Sequence, residues 1–307
     1  MNSTELFDDI TEFPDSEAMR RLAGLVGLDD VKSRLTKEAR LLLNPTLLED
    51  WSQQQHGCII PATKKFKGRS PLFIFEGDVG TGKSELAETF GDAVARAENI
   101  PVSLFHLSLN ARGSGSVGEM TRLIAAAFAE VSNFGTRSIG SKKPTAAGIL
   151  IIDEADALAQ SRELSQMHHE DRAGVNALIR GLNTIGNAGL PVIVVMCTNR
   201  LGALDPAVVR RASAIFRFTR PTEHQRTSVL GSVFANIGLS GSEVAALASA
   251  TGASLGREYG FTFSDITQRL LPAIVLDAFP DKPILFARAL EIASTMAPTP
   301  PFKESSS

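Results

Sequence analysis

The stretch Gly77-Asp78-Val79-Gly80-Thr81-Gly82-Lys83-Ser84 constrains this chain more than any other. It follows the apolar run Leu72, Phe73, Ile74, Phe75 and precedes Leu86, Phe90 and Val94 at helical spacing, so it joins an expected strand to an expected helix. Gly77, Gly80 and Gly82 permit a tight turn in which successive backbone N–H groups and a helix N-terminus surround an anion. In the pattern Gly-x-x-x-x-Gly-Lys-Ser, Lys83 reaches the β- and γ-phosphates of a nucleoside triphosphate and the Ser84 hydroxyl holds magnesium. An ordinary Gly-rich turn is the competing reading, and the strand-then-helix context disfavours it.

Four further apolar runs resemble the one before this loop: Val102 to Leu109, GILIID at 148–153, PVIVVMCTN at 191–199 and AIFRF at 214–218. Helical stretches separate them. Continuous apolar strands alternating with helices predict a doubly wound α/β fold, a five-stranded parallel sheet covered on both faces, with its ligand at the strands' carboxyl ends. From Pro221 onward the apolar residues follow helical periods alone, which predicts a small all-helical domain of four helices. Thr222 with Gln225 reads as a capping box, Ser242 and Ser264 as caps of later helices, and Pro283 as a first-turn residue. Pro272 is expected to kink or shorten the third helix.

The expected organisation is an acidic arm over 1–21, a nucleotide domain over 22–220, a helical lid over 221–296 and a disordered tail over 297–307. Val31, Leu35, Ala39 and Leu42 or Leu43 predict a helix leading into the nucleotide domain, with Asp29 as its cap. Residues 52–70 read as a connection whose Lys64, Lys65, Lys67 and Arg69 form a solvated face, and 132–148 as a mobile surface loop. The 31 basic and 34 acidic residues among 307 leave a formal charge of −3, with no global field to draw nucleic acid. Cys58 and Cys197 lie far apart in sequence, and the opening MNSTELFDDITEFPD has no apolar stretch typical of a secretory leader. No apolar run approaches a membrane span. A reduced cytoplasmic protein is the expectation.

GILIIDEAD supplies the partner of the phosphate loop. Asp153 emerges at the end of an apolar strand where its carboxylate can hold magnesium, and Glu154 is placed to polarise an attacking water as general base. The alternative has both acids capping the next helix. Asn199, at the end of VIVVMCTN, would sit beside Glu154 if the two strands are neighbours, where its amide orients the water or contacts the γ-phosphate. In QMHHED, His168 and His169 are adjacent and point different ways on a helix, so a polar loop is read there rather than a metal centre.

With GDVGTGKS, ILIIDEAD, CTNR and LDPAVVRR in this order, the chain resembles the AAA+ ATPases over roughly residues 22–295. The resemblance implies an αβα domain with a helical lid, ATP and Mg2+ as ligands, and nucleotide held between neighbouring subunits of a ring, usually a hexamer. It assigns Arg211 or Arg210 as an arginine finger acting on the adjacent subunit's site. A second arginine three positions on, common in relatives, is Ser213 here. The nucleotide-binding set then comprises Val26, Gly27, Gly77, Asp78, Val79, Gly80, Thr81, Gly82, Lys83, Ser84 and Glu85.

LFHLSLNARGSGSVGEMTRLIAAAFAEV, RAGVNALIRGLNTI and VVRRASAIFRF resemble the pachytene-checkpoint branch, which remodels HORMA-domain proteins. That likeness places a pore loop at Ser116, Val117, Gly118 and Glu119, with Val117 where the family commonly has an aromatic; a glycine-rich flexible connection is the other reading. The short N-terminal arm resembles compact bacterial members found with HORMA proteins and cyclic-oligonucleotide synthases in CBASS anti-phage systems. The family's sensor arginine would fall near Ile266, and Arg269 is either its replacement or a surface residue. Two other functions compete: a DNA-associated loader or helicase-like ATPase, which near-neutral charge and the lack of a recognisable DNA-binding module disfavour, and a nucleotide-gated scaffold without turnover.

Overall fold

The computed structural model describes residues 6–66, 68–108, 118–141, 143–155, 169–254 and 256–302. The chain divides into two compact units, one of 1–23, 30–76 and 84–217, the other of 24–29, 77–83 and 218–307.

Within the segment expected to be an arm, the described residues form a strand, β1 (Phe7–Phe13), and a helix, α1 (Ser16–Gly24), followed by α2 (Asp29–Leu43) and α3 (Thr46–His56). Helix α2 begins at Asp29 and buries Leu35, Ala39 and Leu43 at the expected spacing. The segment expected to be a connection is largely structured: α3 ends at Gly57 in the left-handed region with φ 67, and Pro61–Phe66 forms a 3₁₀ turn. Arg69 is only partly exposed. It donates to Glu38 at 2.7 Å and to the Ser213 carbonyl at 2.7 Å, with its guanidinium over the Phe66 ring.

Next come β2 (Leu72–Gly77), α4 (Lys83–Glu98), β3 (Val102–Leu107), α5 (Glu119–Arg137), β4 (Ala147–Ile152), α6 (His169–Ala188), β5 (Val192–Thr198), the short α7 (Pro206–Val209) and β6 (Ala212–Phe218). The sheet has six strands in the order β1-β3-β4-β5-β2-β6. Strands β3, β4, β5 and β2 pair in parallel, as expected, and β1 adds antiparallel to β3. The sixth strand corrects the five-stranded expectation: Phe7 and Phe13 are buried at its two ends, but their value lies in a partner far along the chain. All residues of β4 and β5 are buried, the signature of a sheet covered on both faces. Leu72 and Ile74 join the core of α5 and α6, while Phe75 faces the other way, 6.4 Å from the Phe90 ring of α4.

The region 132–148 is mostly ordered by hydrogen bonds. Helix α5 runs to Arg137, Ser138 caps it through Phe134 and Gly135, Thr145 donates back to Ser138, and the Lys143 ammonium donates to the Glu98 carbonyl. Within the second unit, α8 (Glu223–Val233), α9 (Gly241–Ala250), α10 (Leu271–Ala278) and α11 (Phe286–Thr295) form the helical core, built on Leu230, Leu247, Phe261, Ile266, Leu270 and Ala289. Thr222 and Gln225 make the expected capping box. Ser240 rather than Ser242 caps α9, with Glu243 as its reciprocal partner. Ser264 is already helical; Thr262 and Asp265 exchange the reciprocal bonds instead. Pro272 falls in the first turn of α10, after a π-helical turn over Asp265–Leu270, and Pro283 precedes α11 rather than opening it.

Candidate nucleotide site

The loop from Gly77 to Lys83 is built by backbone conformations that few side chains tolerate. Gly80 and Gly82 have φ of 74° and 94°, and a Cβ on Gly77 would lie 2.1 Å from the Phe218 carbonyl oxygen. Thr81 Oγ1 donates to the Asp78 carbonyl at 2.7 Å, and the Lys83 ammonium donates to the carbonyls of Gly77 and Asp78, both at 2.8 Å. Lys83 is 7% exposed. Its charge is therefore held inside the turn, where a phosphate oxygen can take over from those carbonyls.

Arg220, which the sequence reading did not single out, organises the same unit. Its Nε and Nη2 donate to Asp78 Oδ2 at 2.9 and 2.6 Å, Nη1 to the Gly260 carbonyl at 2.7 Å, and Nη2 to the Thr299 carbonyl at 2.8 Å. The Tyr259 ring lies 4.9 Å from the guanidinium. Val26 packs against the helical core, and the Gly27 carbonyl accepts from Gln225 Nε2 at 2.6 Å, so both residues belong with the loop and the lid helices.

In the other unit, Ser84 Oγ donates to Asp153 Oδ2 at 2.7 Å, and the backbone N–H of Glu154 donates to Asp153 Oδ1 at 2.8 Å. The hydroxyl and carboxylate oxygens are the hard donors that magnesium takes, so the pair fits that ion. Glu154 is exposed and has φ 49°, a left-handed conformation rare for glutamate. Asp153 and Glu154 follow β4 and Asn199 follows β5, and these strands are neighbours with Ile152 opposite Met196, which meets the condition set for Asn199. Glu85 is different: its carboxylate is taken by Arg21 of α1 at 2.7 and 2.9 Å, which leaves only its backbone for a phosphate.

Arg210 is exposed at the end of α7, and Arg211 is half-buried, its Nη1 donating to the Ala207 carbonyl at 2.8 Å. Strand β6 starts beside the beginning of β2, where Ser213 Oγ bonds the Ser70 carbonyl, and ends beside its end, where Arg217 pairs with Glu76 at 3.2 Å. Ser70 to Glu76 spans about 20 Å of extended chain. The two arginines thus precede β6, at the end of the sheet opposite Asp153.

Ser116 and Val117 lie outside the described residues, as does His168; Gly118 caps α5 with φ 83° and Glu119 is that helix's first residue. Among the described residues no group of three or more His, Cys, Asp and Glu is placed for a metal, and no helix is long and apolar enough to cross a membrane. Arg269 donates to Asp265 Oδ1 at 2.8 Å in the lid unit. Asp265 is fully buried; burial alone would raise its carboxyl, but hydrogen bonds from Thr299, Thr262 and Arg269 outweigh it and hold it below the ordinary value. The tail expected to be disordered is tied down to Phe302, whose N–H donates to Asp78 Oδ1 at 3.1 Å.

A parallel α/β sheet with a glycine-rich loop after β2, an acidic pair after β4, a polar residue after β5 and a helical second unit defines a P-loop ATPase. The model of the ATPase family associated with various cellular activities (AAA) matches residues 73–220. CD-NTase-associated protein 6 of Escherichia coli (strain MS 115-1) is 50% identical over 299 residues, 97% of this chain and 96% of the relative. The chain therefore belongs to the AAA ATPases, in the CD-NTase-associated protein 6 family, and is an ATP hydrolase. In the structure of the E. coli MS115-1 HORMA:CdnC:Trip13 complex, a chain 50% identical superposes with a TM-score of 0.93, covering 99% of each chain. Rhizobiales Trip13, 45% identical, gives 0.78 over 96% of this chain and 100% of its own.

Proposed function

We propose that this chain uses ATP to remodel a HORMA-domain protein, releasing it from a complex with a cyclic-oligonucleotide synthase and so regulating CBASS anti-phage signalling in the cytoplasm. The observation that carries this reading is the match, over 99% of both chains, to a chain solved in a HORMA:CdnC:Trip13 complex. The working form is a ring, a hexamer. Ser116, Val117, Gly118 and Glu119 form the loop that engages the polypeptide, with Val117 a small substitute for an aromatic grip.

In each subunit the backbone N–H groups of Asp78 to Ser84 cradle the phosphates, and Lys83 exchanges the Gly77 and Asp78 carbonyls for β- and γ-phosphate oxygens. Val26 and Gly27 lie on the nucleotide's base side. Ser84 and Asp153 would hold Mg2+, which when bound neutralises charge on the phosphates. Glu154 takes the proton of the attacking water, and Asn199 orients that water. Arg211, at the end of the sheet opposite Asp153, completes the site of the next subunit, with Arg210 the exposed alternative at the same edge.

The test incubates the chain and ATP with a preformed complex of the HORMA protein and the synthase encoded beside it. Gel filtration should show the complex separating with wild type and persisting with Glu154→Gln. A complex that persists with an actively hydrolysing wild type sinks the substrate assignment. Arg211→Ala should be inactive alone, and mixed with Lys83→Ala it should regain turnover through the sites whose loop and finger are both intact. Full activity of Arg211→Ala alone would discard the finger.

A further inference from the structure

The segment 297–302 converges with the phosphate loop on one guanidinium. Thr299 spends every polar group it has: its N–H and Oγ1 donate to the two oxygens of buried Asp265 at 3.0 and 2.6 Å, and its carbonyl accepts from Arg220 at 2.8 Å. Three residues on, the Phe302 N–H reaches Asp78 Oδ1 at 3.1 Å, while Arg220 holds Asp78 Oδ2 with two donors. Asp78 and Arg220 side chains are 17% and 15% exposed, so water competes weakly for this pair. Pro298, Pro300 and Pro301 stiffen the segment and lower the entropy lost in laying it down. The main chain of Asp78 meanwhile carries Thr81 and Lys83. One residue therefore has its carbonyl committed to the phosphate-binding groups and its carboxylate committed to Arg220 and the strap.

We propose that Arg220 is a positioning residue for ATP hydrolysis: acting through Asp78, and locked by the strap 297–302, it preorganises the phosphate loop and so sets nucleotide affinity without touching nucleotide. The strap reaches Arg220 through the Thr299 carbonyl and Asp78 through the Phe302 N–H, and a proline at 302 removes the second of these without changing charge. The inference rests on ATP binding at the 77–84 loop and not on the identity of the protein substrate, so a chain inert toward HORMA protein can still obey it.

The test measures dissociation constants for a fluorescent N-methylanthraniloyl-ADP in the full-length protein, with Arg220→Gln, Asp78→Asn, the double variant and Phe302→Pro. Removing preorganisation by either single charge change should weaken binding about ten-fold, within the usual range of coupling between sites, and the double variant should be no weaker than either single one. Phe302→Pro, which deletes the donor without changing charge, should raise the KM for ATP three-fold or more and leave kcat within about two-fold. A merely structural role would lower the unfolding midpoint and kcat with additive effects on binding. Additive single effects, or an unchanged KM for Phe302→Pro in a folded protein, overturn the proposal. Should Arg220→Gln fail to fold, Phe302→Pro decides alone.

Discussion

Glu154 combines an exposed side chain with φ 49°, and the two facts together make a quantitative prediction. Holding a non-glycine residue in the left-handed region costs roughly 1–2 kcal/mol, and exposure means that little packing offsets it. On the proposed role as base, the turn is kept because it aims the carboxylate, so stability and turnover should part company at this position. Asn tolerates the left-handed region better than Glu, and Glu154→Asn should recover about 0.5–1 kcal/mol. Each kcal/mol shifts the midpoint of a domain this size by about 2–4 °C, so Tm should rise about 1–4 °C. Glu154→Gln has the same shape and backbone preference as Glu, so its Tm should stay put. Both should cut hydrolysis by about 10²–10⁴ through loss of the base. Thermal unfolding without nucleotide at matched protein concentration, together with a phosphate-release assay, tests this. If Glu154→Asn melts no higher than Glu154→Gln, the strain is not there and the reasoning fails.

Three other outcomes follow from the packing. Arg69→Met leaves Glu38 and the Ser213 carbonyl without their shared donor and should cost about 1.5–3 kcal/mol in urea unfolding, with Arg69→Lys restoring only part, because an ammonium cannot serve both in a fixed fork. Gly77→Ala drives a Cβ into the Phe218 carbonyl and should cost on the order of 1–3 kcal/mol while weakening ADP binding, measured by calorimetry. Asp265 has a lowered folded pKa, so its contribution is fully present above its ordinary value of 3.8 and is lost as pH falls through the folded value. Asp265→Asn should therefore be less stable at pH 7 and show a flatter acid limb in denaturant titrations between pH 7 and 3.

What was legible in the sequence is what local patterns encode. The Gly77 to Ser84 pattern is recognisable from neighbouring residues alone, and the apolar runs of β2 to β5 announce burial on both faces. Asn199 was legible only conditionally, since its place beside Glu154 depends on β4 and β5 being neighbours. The rest depends on partners remote in sequence. FDDITEF has its apolar residues at Phe7, Ile10 and Phe13, which do not alternate as a half-buried strand would, and it becomes a strand because Val102–Leu107 offers an open ladder. Thr299 sits among prolines without periodicity, and its order comes from Asp265, 34 residues earlier. Arg220 looks like a single charge before Pro221 until Gly260, Thr299 and Asp78 gather round it. Glu85 shows the converse: position in the motif says nothing of its side chain, which pairs with Arg21 and leaves the backbone as the part that can serve a phosphate.

Strand β1 also determines what the sheet refuses. By pairing with β3 from Val102 to Leu107 it uses up the ladder that an incoming peptide would otherwise template on, and it puts exposed Asp8, Asp9 and Glu12 along the new border. β1 is then the edge strand itself, and a polypeptide approaching this side meets its outer amides fenced by like-charged carboxylates. Capture by strand addition is disfavoured on that border by charge rather than by any lack of free backbone groups.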